Sequence, residues 1–130
     1  MLIDTDQLSG PPAEAIVQSG SGALMLVAGS RGTGAFTALL LGSASRYAAS
    51  YAPCPVVVVR DEAPGPYGLV GVGIGDLDNC RAGALIGLSA RADLVVIGRH
   101  DRHPGLQGPG SVRHAVLNHP HGPVAVVPSS

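Results

Sequence analysis

The chain nearly repeats itself, and that repeat narrows the folds open to it. Ala15, Ala23 and Gly29 recur as Ala84, Ala92 and Gly98, at an offset of 69 positions. One residue then drops out, and Gly42-Ser43, Pro55-Val56 and Val58-Val59 recur as Gly110-Ser111, Pro123-Val124 and Val126-Val127, at an offset of 68. Between these anchors the apolar run Leu24–Ala28 corresponds to Asp93–Ile97. Two copies make a duplication and not a solenoid array. Each copy reads as helix, strand, glycine loop, helix, strand. That alternation predicts an α/β fold: an open, mostly parallel sheet with flanking helices, joined by right-handed crossovers. Residues 1–60 and 61–130 are then two repeats sharing one core.

In the first copy Ser9 is expected to cap a helix with Pro11 and Pro12 in its first turn, running to about Ser19. Leu24–Ala28 reads as a short buried strand. Ser43 is expected to cap a helix of small residues to about Tyr51, with Tyr47, Ala48 and Tyr51 on one face and Arg46 and Ser50 on the other. Pro53 stops that helix, and Pro55 launches a strand over 56–60. An acidic, Pro/Gly-rich linker, residues 61–66, leads to an extra strand within 67–75 and a helix from Asn79 to about Arg91.

Composition sharpens this outline. Hydrophobic residues make up 45% and charged residues 13% of the chain, which excludes a disordered polymer. With one Phe, three Tyr and no Trp, the core must come from Val, Leu, Ile and Ala, as in a sheet with helices on both faces. A net charge of -1 leaves no basic footprint, so nucleic acid is not an expected partner. No apolar run approaches the ~20 residues of a membrane span, and the acidic start Met1–Asp6 lacks the basic opening of a signal peptide. No membrane association is expected. Cys54 and Cys80 stand in no metal or redox spacing, and Cys54, between two prolines, reads as a small core residue. A cytoplasmic setting follows.

The chemistry is expected at Gly29-Ser30-Arg31-Gly32, followed after nine residues by Gly42-Ser43. Glycine-permitted turns after a strand, with a Gly-Ser pair opening a helix, can present backbone N–H groups and a hydroxyl to an anion such as a nucleotide phosphate. Two better-known phosphate motifs fail. Gly29-x4-Gly34 starts like a P-loop but has Ala35-Phe36 where Lys and Ser or Thr are required. Gly32-x-Gly34 has Thr37 in place of the third glycine of a dinucleotide fingerprint, and Gly71-x-Gly73 has no acid at the ribose distance. Five histidines (His100, His103, His114, His119 and His121) fall mostly in loops without completing carboxylates or cysteines, so no metal site is expected. No nucleophile elbow or catalytic constellation stands out, and the chain does not read as an enzyme.

What remains, G-x2-G-x9-G-[ST] after a strand and before a helix, resembles the nucleotide-binding signature of universal stress proteins. The segments GSRGTGAFTALLLGSAS and APCPVVVVR read like the C-terminal half of such a domain, and ADLVVIGRHDRH with GPVAVV like a diverged second one. The resemblance implies an adenine-nucleotide α-hydrolase-like, Rossmann-like fold and a regulatory role in the stress response. It implies ATP, with or without Mg²⁺, as the ligand. On that resemblance Gly29 and Gly32 allow close backbone approach to ribose and phosphates, Ser30 lies between them, and Gly42 and Ser43 donate N–H and hydroxyl bonds. Arg31 adds a charge-assisted contact. The second loop keeps Gly98, Gly110 and Ser111 but has Asp101 where the second glycine belongs, so it reads as structural or weakly binding. The strand that should supply an acid near the adenine is missing from the first copy; in the second, Asp76 is the substitute candidate. Self-association is expected through the strand Val56–Val59 or Val124–Val127, as the family pairs its last strands. The second reading is an interaction module, or dimerising remnant, in which those two strands pair with each other and no nucleotide binds.

Overall fold

Three valine-rich segments, one Leu-Val-Ala-Gly segment and one Val-Gly segment form the strands of a single sheet. β-branched side chains lose little freedom in extended backbone and pack well on a pleated surface. The computed structural model describes residues 1–30, 41–60, 65–73, 79–99, 112–118 and 121–129. In chain order the elements are α1 (Pro12–Ser19), β1 (Leu26–Gly29), α2 (Ser43–Tyr51), β2 (Val56–Val59), β3 (Val70–Gly73), α3 (Asn79–Ser89), β4 (Leu94–Arg99), α4 (Val112–Asn118) and β5 (Val124–Pro128). The sheet order is β1-β2-β5-β4-β3, an α/β architecture. Three of its pairings are parallel, and β2 with β5 is antiparallel.

The registers obey the sequence repeat. Leu26 pairs with Val56 in one copy, and their equivalents Val95 and Val124 pair in the other. The hydrogen bond from Leu26 N–H to the Pro55 carbonyl likewise recurs from Val95 N–H to Pro123. Between the copies, Val57 faces its own equivalent, Ala125, while Val56 faces Val126 and Val58 faces Val124. That pattern is a local twofold axis through the Val57·Ala125 pair. β2 and β5 therefore each have neighbours on both sides, and the free sheet edges belong to β1 and β3.

The core lies on one face of this sheet. Val56, Val58, Val95, Ile97, Val124 and Val126 point into it, against Ala48, Ala49 and Ala52 of the α2 region, Ala82 and Leu85 of α3, and Val116 and Leu117 of α4. Alanine on α2 lets that helix sit close to the strands, and each fully buried valine stabilises by roughly 1.5–3 kcal/mol. α1 lies against α2, and α3 against α4. Two arginines tie the copies together: Arg99 donates to the Ala52 carbonyl behind α2 at 2.8 Å, and Arg60 to the Leu117 carbonyl in α4. Each satisfies an acceptor that a helix end leaves open.

Several local expectations change. Among the described residues the helices and core occupy one face of the sheet, not both. β1 is an edge strand and not a buried one: Val27 is 65% exposed and Leu24, before the strand, 95%. Pro11 and not Ser9 holds the N-cap position of α1, and no side chain caps that helix. On α2 the buried residues are Ser45, Ala48 and Ala49, while Tyr47 and Tyr51 meet on the outer side, their rings tilted by 44° with centres 4.6 Å apart. Cys54 is buried, as expected of a small core residue. No helix among the described residues is long and apolar enough to cross a membrane.

Candidate functional site

The first glycine loop leaves the sheet at the carboxyl end of β1 and returns at the start of α2, and both ends are fastened together. Ser30, buried, extends the ladder by donating its N–H to the Val59 carbonyl at 2.9 Å. Its own carbonyl accepts the Gly42 N–H at 2.8 Å. One residue back, the Gly29 carbonyl accepts the Ser45 hydroxyl at 2.5 Å. The Leu41 N–H reaches Asn118 Oδ1 of the other copy at 3.3 Å, and the Leu41 carbonyl accepts from the Arg46 guanidinium at 3.2 Å. These bonds close a neck: Gly29, Ser30, Gly42 and Ser43, distant in sequence, stand side by side at the N-terminus of α2. In parallel α/β sheets ligands bind in this position, beyond the carboxyl ends of strands and facing a helix start.

The neck corrects two expected roles. The Gly42 N–H is taken by the Ser30 carbonyl and does not point at a ligand. Gly42 also adopts φ -58°, ψ 149°, a conformation open to any residue, so no glycine-only turn occurs there. Ser43 is the first helical residue and exposed, and no side-chain cap is formed at this end. It is the first-turn N–H groups and the exposed Ser43 that suit a phosphate. Arg31 and Gly32 lie outside the described residues.

The neck stands at an edge of the sheet. β1 is the last strand on its side, and no described strand lies beyond it. The strand leading to Asp76 is β3, at the other edge of the sheet. β3 runs parallel to β4 and β5, which are antiparallel to β2, so its carboxyl end at Gly73 faces away from the Gly29 end. Asp76 itself lies outside the described residues.

The second copy is built differently at the matching place. Gly98 sits in β4 opposite Val127, as Gly29 sits opposite Val59. The next residue is Ser30 in the first copy and Arg99 in the second, and the Arg99 side chain turns inward to Ala52. Gly110 and Ser111 lie outside the described residues, as do His100, His103 and His119. His121 is exposed, with its backbone N–H on Ser89 Oγ at 2.9 Å. Among the described residues no group of three or more His, Cys, Asp or Glu is placed to hold a metal.

Sequence reading missed Ser45 and Asn118. Ser45 shares the inner face of α2 with Ala48, Ala49 and Ala52 at helical spacing, a signal for burial and not for a bond to Gly29. Asn118 lies 77 positions from Leu41, and nothing in its neighbourhood announces that partner.

The family comparison falls on the same half of the molecule. The universal stress protein family model matches residues 3–60, ending where the first repeat ends. A protein of Thermus aquaticus, named "Universal stress protein in QAH/OAS sulfhydrylase 3'region", is 51% identical over 55 residues. That stretch is 41% of this chain and 40% of the relative, so the chain matches less than half the length of that relative.

Proposed function

We propose, from the match of residues 3–60 to the universal stress protein family model, that the chain is a stress-response protein whose first glycine loop binds an adenine nucleotide. The observation that carries this reading is the closed neck, which sets Gly29–Ser30 against the start of α2. ATP is the proposed ligand, with or without Mg²⁺, and its phosphates lie at the first turn of α2, where Ser43 is exposed and the helix dipole favours an anion. Arg31 and Gly32 complete the loop, the first by charge and the second by leaving room for the backbone to approach. The role is regulatory and not catalytic. A cytoplasmic setting goes with it, supported by Cys54, a buried free thiol.

Calorimetric titration with a non-hydrolysable ATP analogue on the wild type, Gly32→Asp and Ser43→Ala tests the site. The wild type is expected to bind saturably, and Gly32→Asp, which sets a carboxylate against the phosphates, to weaken binding by about tenfold or more. Equal binding by all three proteins, or no binding by any, overturns the assignment.

The open edge of β1 and the engaged Gly42 N–H favour a second reading, an interaction module without nucleotide. Thermal unfolding with and without ATP and Mg²⁺ separates the two. A ligand bound to the native state alone adds about 2.7 kcal/mol at a hundredfold excess over Kd; an unchanged transition favours the module.

A further inference from the structure

The two ends of the first glycine loop are held from different halves of the molecule. The outgoing end belongs to the first copy's own sheet, through the Ser30 N–H on the Val59 carbonyl. The returning end is held from the second copy. Leu41 is buried in the cluster that includes Val116 and Leu117 of α4, and its N–H donates to Oδ1 of Asn118, the last residue of that helix and itself buried. A buried N–H without a partner is costly, so this bond constrains where the chain can return. Arg60, after β2, donates to the Leu117 carbonyl and fastens the same end of α4. On its other side the Leu41 peptide is gripped by Arg46, whose guanidinium takes the Leu41 carbonyl at 3.2 Å.

The sequence repeat makes this grip run one way. At the offset of 68, Leu41 corresponds to Pro109 and Asn118 to Ser50. Proline has no N–H to donate, and serine lacks the reach of an amide, so the first copy cannot return the bond. We propose, resting on the nucleotide reading above, that Asn118 is a positioning residue of the nucleotide site. It touches no ligand and acts through Leu41. The second copy holds the peptide that leads into Gly42 and Ser43, and so keeps the Ser43 hydroxyl and the first-turn N–H groups of α2 in place before a phosphate arrives. A site ordered in advance loses less freedom on binding and binds more tightly. The second copy, whose own loop has Asp101 where a glycine belongs, thereby serves the site of the first.

Two measurements on the full chain test the role. Calorimetric titration with a non-hydrolysable ATP analogue compares the wild type, Asn118→Leu, Ser43→Ala and the double variant. Leucine keeps the branched shape of asparagine but cannot accept a hydrogen bond. Asn118→Leu is expected to weaken binding by about fivefold. Ser43→Ala should then cost less in that background than alone, because a released Leu41 no longer presents the hydroxyl. Amide exchange without ligand, followed by NMR, is expected to quicken at Leu41 and Gly42 in Asn118→Leu while the β2·β5 ladder keeps its wild-type protection. If leucine unfolds the chain, Asn118→Ser carries both tests, since its shorter side chain also gives up the Leu41 N–H. A folded variant that binds as tightly as the wild type, strictly additive losses, or unchanged exchange at Leu41 and Gly42 overturns the role and leaves the nucleotide reading standing. A wild type that binds no analogue overturns that reading, and the role with it.

Discussion

Asp93 secures the entry to β3 with a single carboxylate. It accepts N–H bonds from Tyr67, Gly68 and Leu69 at 2.8, 2.6 and 3.2 Å, and Gly68 takes φ 69°, the left-handed region that suits glycine. Those bonds, Tyr67's foremost, hold the carboxyl below its ordinary value. A group whose folded pKa lies below its unfolded one stabilises fully above the unfolded value, and that stability is lost as pH falls through the folded value. Asp93→Asn is therefore expected to lower the urea midpoint at neutral pH, with the gap to the wild type closing below about pH 4. Urea melts across pH check this, and a gap that ignores pH refutes the role. Ser45 acts at the same scale on the neck. Ser45→Ala removes the donor to the Gly29 carbonyl and is expected to cost about 1 kcal/mol, read from denaturant midpoints. Neither residue's partners were legible in the sequence, because both bond to backbone groups, which no letter specifies. The candidate loop itself was legible: glycine and serine at fixed spacing after a strand marked a place where α2 starts. What spacing did not carry was the direction of the Gly42 N–H, which depends on where the Ser30 carbonyl falls.

Glycine has opposite meanings in two neighbouring elements, β3 and α3. A Cβ on Gly71 would lie 2.2 Å from Leu88 Cδ2 and 2.9 Å from Leu88 Cγ, so β3 meets α3 closely only because the residue is bare. Gly71→Ala is expected to destabilise by about 1–3 kcal/mol. Because one leucine makes the clash, Gly71→Ala combined with Leu88→Ala should cost less than the two changes added. Urea titration of the four proteins in that cycle gives the coupling, and strict additivity would mean that the contact is absent. Gly83 and Gly87, inside α3, have nothing within 4 Å of an added Cβ. There alanine only stiffens the helix, and each substitution is expected to stabilise by about 0.5–1 kcal/mol. At this scale the sequence located most elements well. Pro12 opens α1, and Pro53 and Pro55 bracket the turn before β2, because proline removes donors wherever it stands. The β1 position was misjudged for a physical reason: a run of five apolar residues reads the same in a buried strand and at an exposed edge.

At the scale of the molecule, the repeat was the most legible feature, and the registers of β1·β2 and β4·β5 follow its offset. The number of covered faces was not legible, since uninterrupted valine suits burial on either side and only the helix placement decides. The antiparallel joint between β2 and β5 has a mechanical consequence. Val56 and Val58 of one copy and Val124 and Val126 of the other form a single cluster, to which α2, α3 and α4 all contribute. Arg60 and Arg99 each reach a helix carbonyl in the opposite copy. Neither copy owns a separable core, so unfolding should be one transition. Tyrosine emission in a Tyr67→Phe background tests this directly, since the two remaining tyrosines, Tyr47 and Tyr51, lie on α2 of the first copy and the chain has no Trp, while far-UV dichroism reports both copies. The two probes are expected to give one urea midpoint. Val126→Ala, in the second copy, should shift both together by removing buried methyls across the joint, at a cost of about 1–3 kcal/mol. If the dichroism midpoint moved while tyrosine emission stayed in place, the copies would be unfolding separately, and the shared core would not couple them.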